Sequence, residues 1–113
     1  MPRLPYFPLN PYEYLLDEKI DSLKPDEEGI LLRLWCLMWI NKYRRGHLLY
    51  DKKTPISRDQ LAKKLRITFK KFEKVLKKLL SLGLIKVGKY EQLYSVRLSK
   101  YKTPYELDKK RSG

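Results

Sequence analysis

Residues 68–98 read TFKKFEKVLKKLLSLGLIKVGKYEQLYSVRL, and Gly83 divides them into two periods. Before it, Phe72, Val75, Leu76, Leu79, Leu80 and Leu82 recur at helical spacing. Thr68 is a helix-capping residue, and Gly83 takes the left-handed conformation that ends many helices. The spacing therefore predicts a helix over 69–82. After Gly83 the period falls to two. Residues 84–87 and 92–98 read as strands joined by a turn over 88–91, with Tyr94, Val96 and Leu98 on one face.

Working upstream, Ser57 and Gln60 match a capping box, and Leu61, Ala62 and Leu65 share one face of the helix that follows. Arg66 and Ile67 form the turn between the two helices. Helix, turn, helix, hairpin is the winged helix-turn-helix order, a mainly α fold with a small β-hairpin. Before it, Pro25 followed by Asp26, Glu27 and Glu28 marks a helix start, because proline suits the first helical position and carboxylates suit the positive end of the dipole. That helix is expected to reach about Tyr43. Ile30, Leu31, Leu34, Trp35, Leu37, Met38 and Trp39 make it apolar nearly all round, hence central, with Cys36 as a core thiol. Gly46 breaks it. Leu48, Leu49 and Tyr50 read as a short strand, 51–55 as a polar turn, and His47 as an exposed residue after a loop glycine.

The ends differ in character. Prolines at 2, 5, 8 and 11 make an extended arm, with Tyr6 and Phe7 as its anchors. Asn10 and Pro11 cap a short helix through Tyr14 and Leu16, and 17–23 adds another turn. The organisation expected is an arm with short helices over 1–24, a winged-helix domain over 25–98, and a basic tail or linker over 99–113.

Composition narrows the function classes. The chain has 113 residues and a formal net charge of +13, enough for one domain. Residues 1–29 hold three basic and seven acidic side chains, whereas 30–113 hold 23 basic and six acidic ones. The basic body points to a polyanion, of which nucleic acid is the commonest, and the acidic end is expected to lie away from it. The longest apolar run, 34–40, is far short of the ~20 residues that span a membrane. No apolar leader region follows Met1, which reads as an intracellular, cytoplasmic protein with no membrane partner. One cysteine and one histidine supply no disulfide and no zinc ligand set. No Ser/His/Asp set, phosphate-binding glycine loop or paired histidine is present. No enzyme, metal or cofactor is expected.

The candidate interface is the helix after Thr68. Lys70, Lys74, Lys77 and Ser81 recur on the face opposite its apolar side, with Lys71 and Lys78 flanking them. Such a helix is ~21 Å long and fits a DNA major groove ~12 Å wide. Its face lacks the Arg, Asn and Gln that read bases bidentately, so phosphate contacts are expected to dominate. Arg58, Lys63, Lys64 and Arg66 are placed to hold the flanking backbone. Lys86, Lys89 and Tyr90, at the hairpin, are placed to reach the neighbouring groove.

The chain up to about Tyr101 resembles the N-terminal winged-helix domain of phage and prophage replisome organisers, related to the DnaD-type primosome proteins. The residues that carry it are Tyr6-Phe7 with Tyr14-Leu15, the runs 17–20 (DEKI) and 25–29 (PDEEG), and 34–39 (LWCLMW). The runs 46–49 (GHLL), 60–65 (QLAKKL) and 82–85 (LGLI) continue it. The resemblance implies origin binding in replication initiation, help in recruiting a replicative helicase or its loader, and self-association into a homo-oligomer. Two other readings fit the same fold: a transcriptional regulator, and a protein-interaction module of a replication complex.

Overall fold

Helices begin where polar side chains satisfy the free N–H groups of a first turn, and this chain supplies such groups repeatedly. The computed structural model describes residues 9–100. Tyr6, Phe7, most of the proline arm and the tail beyond Lys100 lie outside the described residues. Asn10 Oδ1 accepts the N–H of Tyr12 at 3.0 Å and opens α1 (Pro11–Leu16). Asp17 caps α2 (Glu18–Asp21). α3 (Pro25–Trp39) starts at its proline, and the Glu27 carboxylate turns back to accept the N–H of Lys24 at 2.8 Å. Ser57 and Gln60 form the reciprocal box at the head of α4 (Arg58–Leu65). Thr68 Oγ1 accepts the N–H of Lys71 at the head of α5 (Phe69–Ser81).

α4 and α5 end in the same way. After α4, Arg66 lies at φ 60°, and the N–H groups of Arg66 and Ile67 reach the carbonyls of Lys63 and Ala62. After α5, Gly83 lies at φ 75°, and the N–H groups of Gly83 and Leu84 reach Leu80 and Leu79. Both are Schellman ends. Glycine adopts this conformation freely, whereas Arg66 holds it at a steric cost.

The hairpin is shorter than its sequence predicts. β1 (Lys86–Val87) pairs antiparallel with β2 (Leu93–Tyr94), Lys86 opposite Tyr94 and Val87 opposite Leu93. The strand expected through Leu98 stops at Tyr94. Ser95 Oγ instead accepts the N–H of Leu98 and opens α6 (Val96–Ser99), so Leu98 is buried by a helix turn and Val96 faces solvent.

Three further expectations need correcting. α3 ends at Trp39, not near Tyr43, because Asn41 Oδ1 takes the N–H groups of Tyr43 and Arg44, both at 3.0 Å. That local turn competes with helix continuation. α3 is also one-sided: Ile30, Leu31, Leu34, Trp35, Met38 and Trp39 are buried, while Gly29, Arg33 and Cys36 follow one another along its outer face. Cys36 is therefore an exposed thiol. The strand expected over 48–50 is reduced to isolated bridges, His47 with Tyr94 and Leu49 with Pro55.

His47 is buried, at 4% exposure, and not exposed as its loop position implied. Gly46 turns the chain at φ 88° and lays 46–48 along the free edge of β2, with Leu48 N–H to Leu93 O and Ser95 N–H to Gly46 O both at 2.8 Å. The imidazole then stacks on Tyr94, ring centroids 4.8 Å apart. Its Nδ1 lies 3.1 Å from Gln92 Nε2, and Gln92 Oε1 accepts the N–H of Tyr90.

One apolar core joins all of this, running from Tyr14, Ile20 and Leu23 through α3, α4 and α5 to Ile85, Leu93 and Leu98. Trp35 and Trp39 are core residues, as expected. No helix among the described residues is long and apolar enough to cross a membrane.

Two glycines give a contrast. A Cβ at Gly46 would fall 2.6 Å from the Ser99 backbone nitrogen in a left-handed conformation, whereas one at Gly29 meets nothing within 4 Å. Gly46→Ala should cost about 3 kcal/mol in urea unfolding, and Gly29→Ala, inside α3, should gain about 0.5–1 kcal/mol. A neutral Gly46→Ala would show that this turn is not fixed as described.

Candidate nucleic-acid interface

The apolar face of α5 fixes which of its lysines reach solvent. Phe72, Val75, Leu76 and Leu79 are each 0–1% exposed, so the helix has a single rotation about its axis. At 100° per residue, Lys70, Lys74, Lys77 and Ser81 then fall within about 60° of one another on the outward side. All four are exposed. Lys70, Lys74 and Lys77 form no ion pair with any described residue.

Lys71 and Lys78 leave this row by roughly a quarter-turn. Lys71 Nζ lies 2.6 Å from Asp26 Oδ2, and Lys78 Nζ lies 2.8 Å from Glu27 Oε1. The acidic start of α3 therefore runs along one flank of α5, whereas the acidic segment was expected to lie apart from the interface. On the other flank, Arg58 of α4 pairs with Glu73 at 3.2 Å. Arg58, Glu73, Lys74 and Lys77 rim a shallow depression floored by Leu76 and Leu80.

The remaining candidates are spread more widely. Lys63, Lys64 and Arg66 are exposed at the end of α4, and Lys86 and Lys89 are exposed on the hairpin. Tyr90 is half-buried beneath the Lys89 ammonium, 5.6 Å from its ring centre. The structure thus groups Lys70, Lys74, Lys77 and Arg58, and diverts Lys71 and Lys78 into intramolecular pairs. No three His, Cys, Asp or Glu side chains among the described residues converge in a way that would hold a metal.

The pairs perturb their members. The hydrogen bond from Lys71 holds the Asp26 carboxyl below its usual pKa, and the same bond raises Lys71. Lys78, and then the Lys24 N–H, hold Glu27 below its usual value. Nothing in the sequence marks these pairs. The seven-residue spacing of Lys71 and Lys78 puts them on one flank, but which acids they meet depends on how α3 crosses α5.

Glu27 is nearly buried, so its pairing contributes to stability. Its native pKa is lowered, so that contribution is present above the unfolded glutamate value and is lost as pH falls through the native one. Glu27→Gln should cost about 1 kcal/mol in urea unfolding at neutral pH, and the difference from wild type should shrink as pH falls below the ordinary glutamate range and through the lowered native value. A pH-independent difference would remove the ionic account.

No family model, no curated protein and no solved structure matches the chain.

Proposed function

We propose that this chain is a winged-helix domain that binds duplex DNA, with α5 as the recognition helix and the β1–β2 hairpin as the wing. The observation that carries the reading is the row Lys70, Lys74 and Lys77, exposed and unpaired among the described residues on the second of two helices joined by a short turn. Phosphates need cations at such spacing, and each phosphate neutralised releases condensed counterions. Arg58 extends the row towards α4, although Glu73 shares its charge. Lys86 and Lys89 give the hairpin the same sign.

The chemistry of this surface favours phosphate over base contacts. Lysine is a point charge on a flexible stem and reads bases less selectively than the fork of arginine or the amides of Asn and Gln. Binding of modest sequence preference follows, with affinity set mainly by charge. The resemblance to replisome organisers supports a reading in which such binding occurs at replication origins. There, a helicase or its loader and a second copy of the chain would be the partners.

A second reading, a protein-docking module, rests on α1. Tyr12 and Leu16 are 79% and 76% exposed on the side opposite the buried Tyr14, and Leu15, beside Tyr14, is 72% exposed. The two readings use different surfaces and do not compete for residues.

Affinity for a duplex of about 20 base pairs should fall by orders of magnitude between ~50 and ~200 mM salt. Replacing Lys70, Lys74 and Lys77 together by Ala should leave thermal stability nearly unchanged, because the side chains are exposed and alanine favours helix. It should lower the log–log salt slope by ~2–3 for all sequences alike. Replacing Lys100, Lys102 and Lys109 together should matter less. If that second triple weakens binding more than the first, α5 is only a solvated face.

A further inference from the structure

α5 carries five lysines, yet only three stand on the open row. The flanks are closed by carboxylates belonging to the fold itself. Asp26 and Glu27 lie on one side, and Glu73 lies on the other. Lys78 is held against a nearly buried Glu27, which also accepts the Lys24 N–H at the start of α3. Lys71 is different. Its side chain is 43% exposed and that of Asp26 is 52% exposed, so this pair lies at the rim where a polyanion would pass.

We propose that the two flanking sets of carboxylates confine polyanion binding on α5 to the single row Lys70, Lys74, Lys77, and that Asp26 withholds Lys71 from it. The proposal rests on the reading of α5 as a polyanion-facing helix and adds which cations take part. Its physical basis is competition for one ammonium. A phosphate that engages Lys71 must displace a carboxylate that remains close by and repels it. Asp26 stays where it is, because it belongs to the first turn of α3, where the helix dipole favours an anion. The mutual pKa shifts of Asp26 and Lys71 agree with a pair fully ionised at neutral pH.

A double-substitution cycle tests this on the full chain. Salt titrations against a duplex of about 20 base pairs would compare wild type, Asp26→Asn, Lys71→Ala and the pair combined, with thermal melting to establish that each is folded. Asp26→Asn should tighten binding about three- to tenfold at low salt and raise the log–log slope by ~1. Lys71→Ala alone should leave the slope unchanged. The combined variant should return to the wild-type slope, because the gain runs through Lys71.

Two results would overturn the proposal. In the first, Lys71→Ala alone lowers the slope by ~1, as for a row lysine, which would mean that Lys71 already meets phosphate. Alternatively, the tightening by Asp26→Asn persists without Lys71, which makes it a general charge effect. If wild type does not bind the duplex at all, the proposed function fails. The salt needed to elute the same four proteins from heparin then decides the present point. Later elution for Asp26→Asn, abolished by Lys71→Ala, upholds it, and any other order rejects it.

Discussion

The rotation of α5 about its own axis is the constraint on which the rest of this structure depends. Phe72, Val75, Leu76 and Leu79 are almost completely buried, and each such side chain contributes about 1.5–3 kcal/mol relative to exposure. Turning the helix by one residue would bring lysines towards the core, where an unpaired ammonium is very costly. The apolar face therefore decides which cations are free, which meet the start of α3, and which meet α4. The Schellman turns at Arg66 and Gly83 fix where the helix begins and ends relative to its neighbours. The charge pattern is thus a consequence of core packing.

Much of this order is legible in the sequence because caps and turns are local chemistry. Asn10, Pro25, Ser57 with Gln60, Thr68 and Gly83 each mark a boundary through a hydrogen bond or a backbone conformation that needs only nearby residues. Where local signals compete, the sequence misleads. Alternation over 92–98 looks like one strand, but Ser95 is also a good cap, and α6 wins after Tyr94. Asn41 ends α3 early by the same kind of competition. The apolar composition of α3 hides its one-sidedness, so Cys36 looks interior and is not.

Contacts between distant segments are not legible. His47 is buried because Gly46 directs the chain onto the edge of β2, where Gln92 and Tyr94 receive the ring. Lys71 finds Asp26, 45 residues away, and Lys78 finds Glu27, 51 residues away. A helical wheel gives the flank on which each lysine stands but not what packs against that flank. The acidic and basic parts of the chain, far apart in composition, prove to be neighbours across the α3–α5 contact. Exposed ion pairs contribute little to stability, so the pair at Lys71 matters more for the surface it shapes than for the fold it joins.

The central claim, that the free row of α5 is where nucleic acid binds, is tested most directly at the ammonium groups themselves. Side-chain ammonium resonances of the lysines can be followed by NMR while duplex DNA is added at low salt. The account predicts large shifts and slowed proton exchange at Lys70, Lys74 and Lys77, with Lys78 unchanged against Glu27. Unchanged signals at all three row lysines, with the shifts confined to lysines elsewhere in the chain, would contradict it.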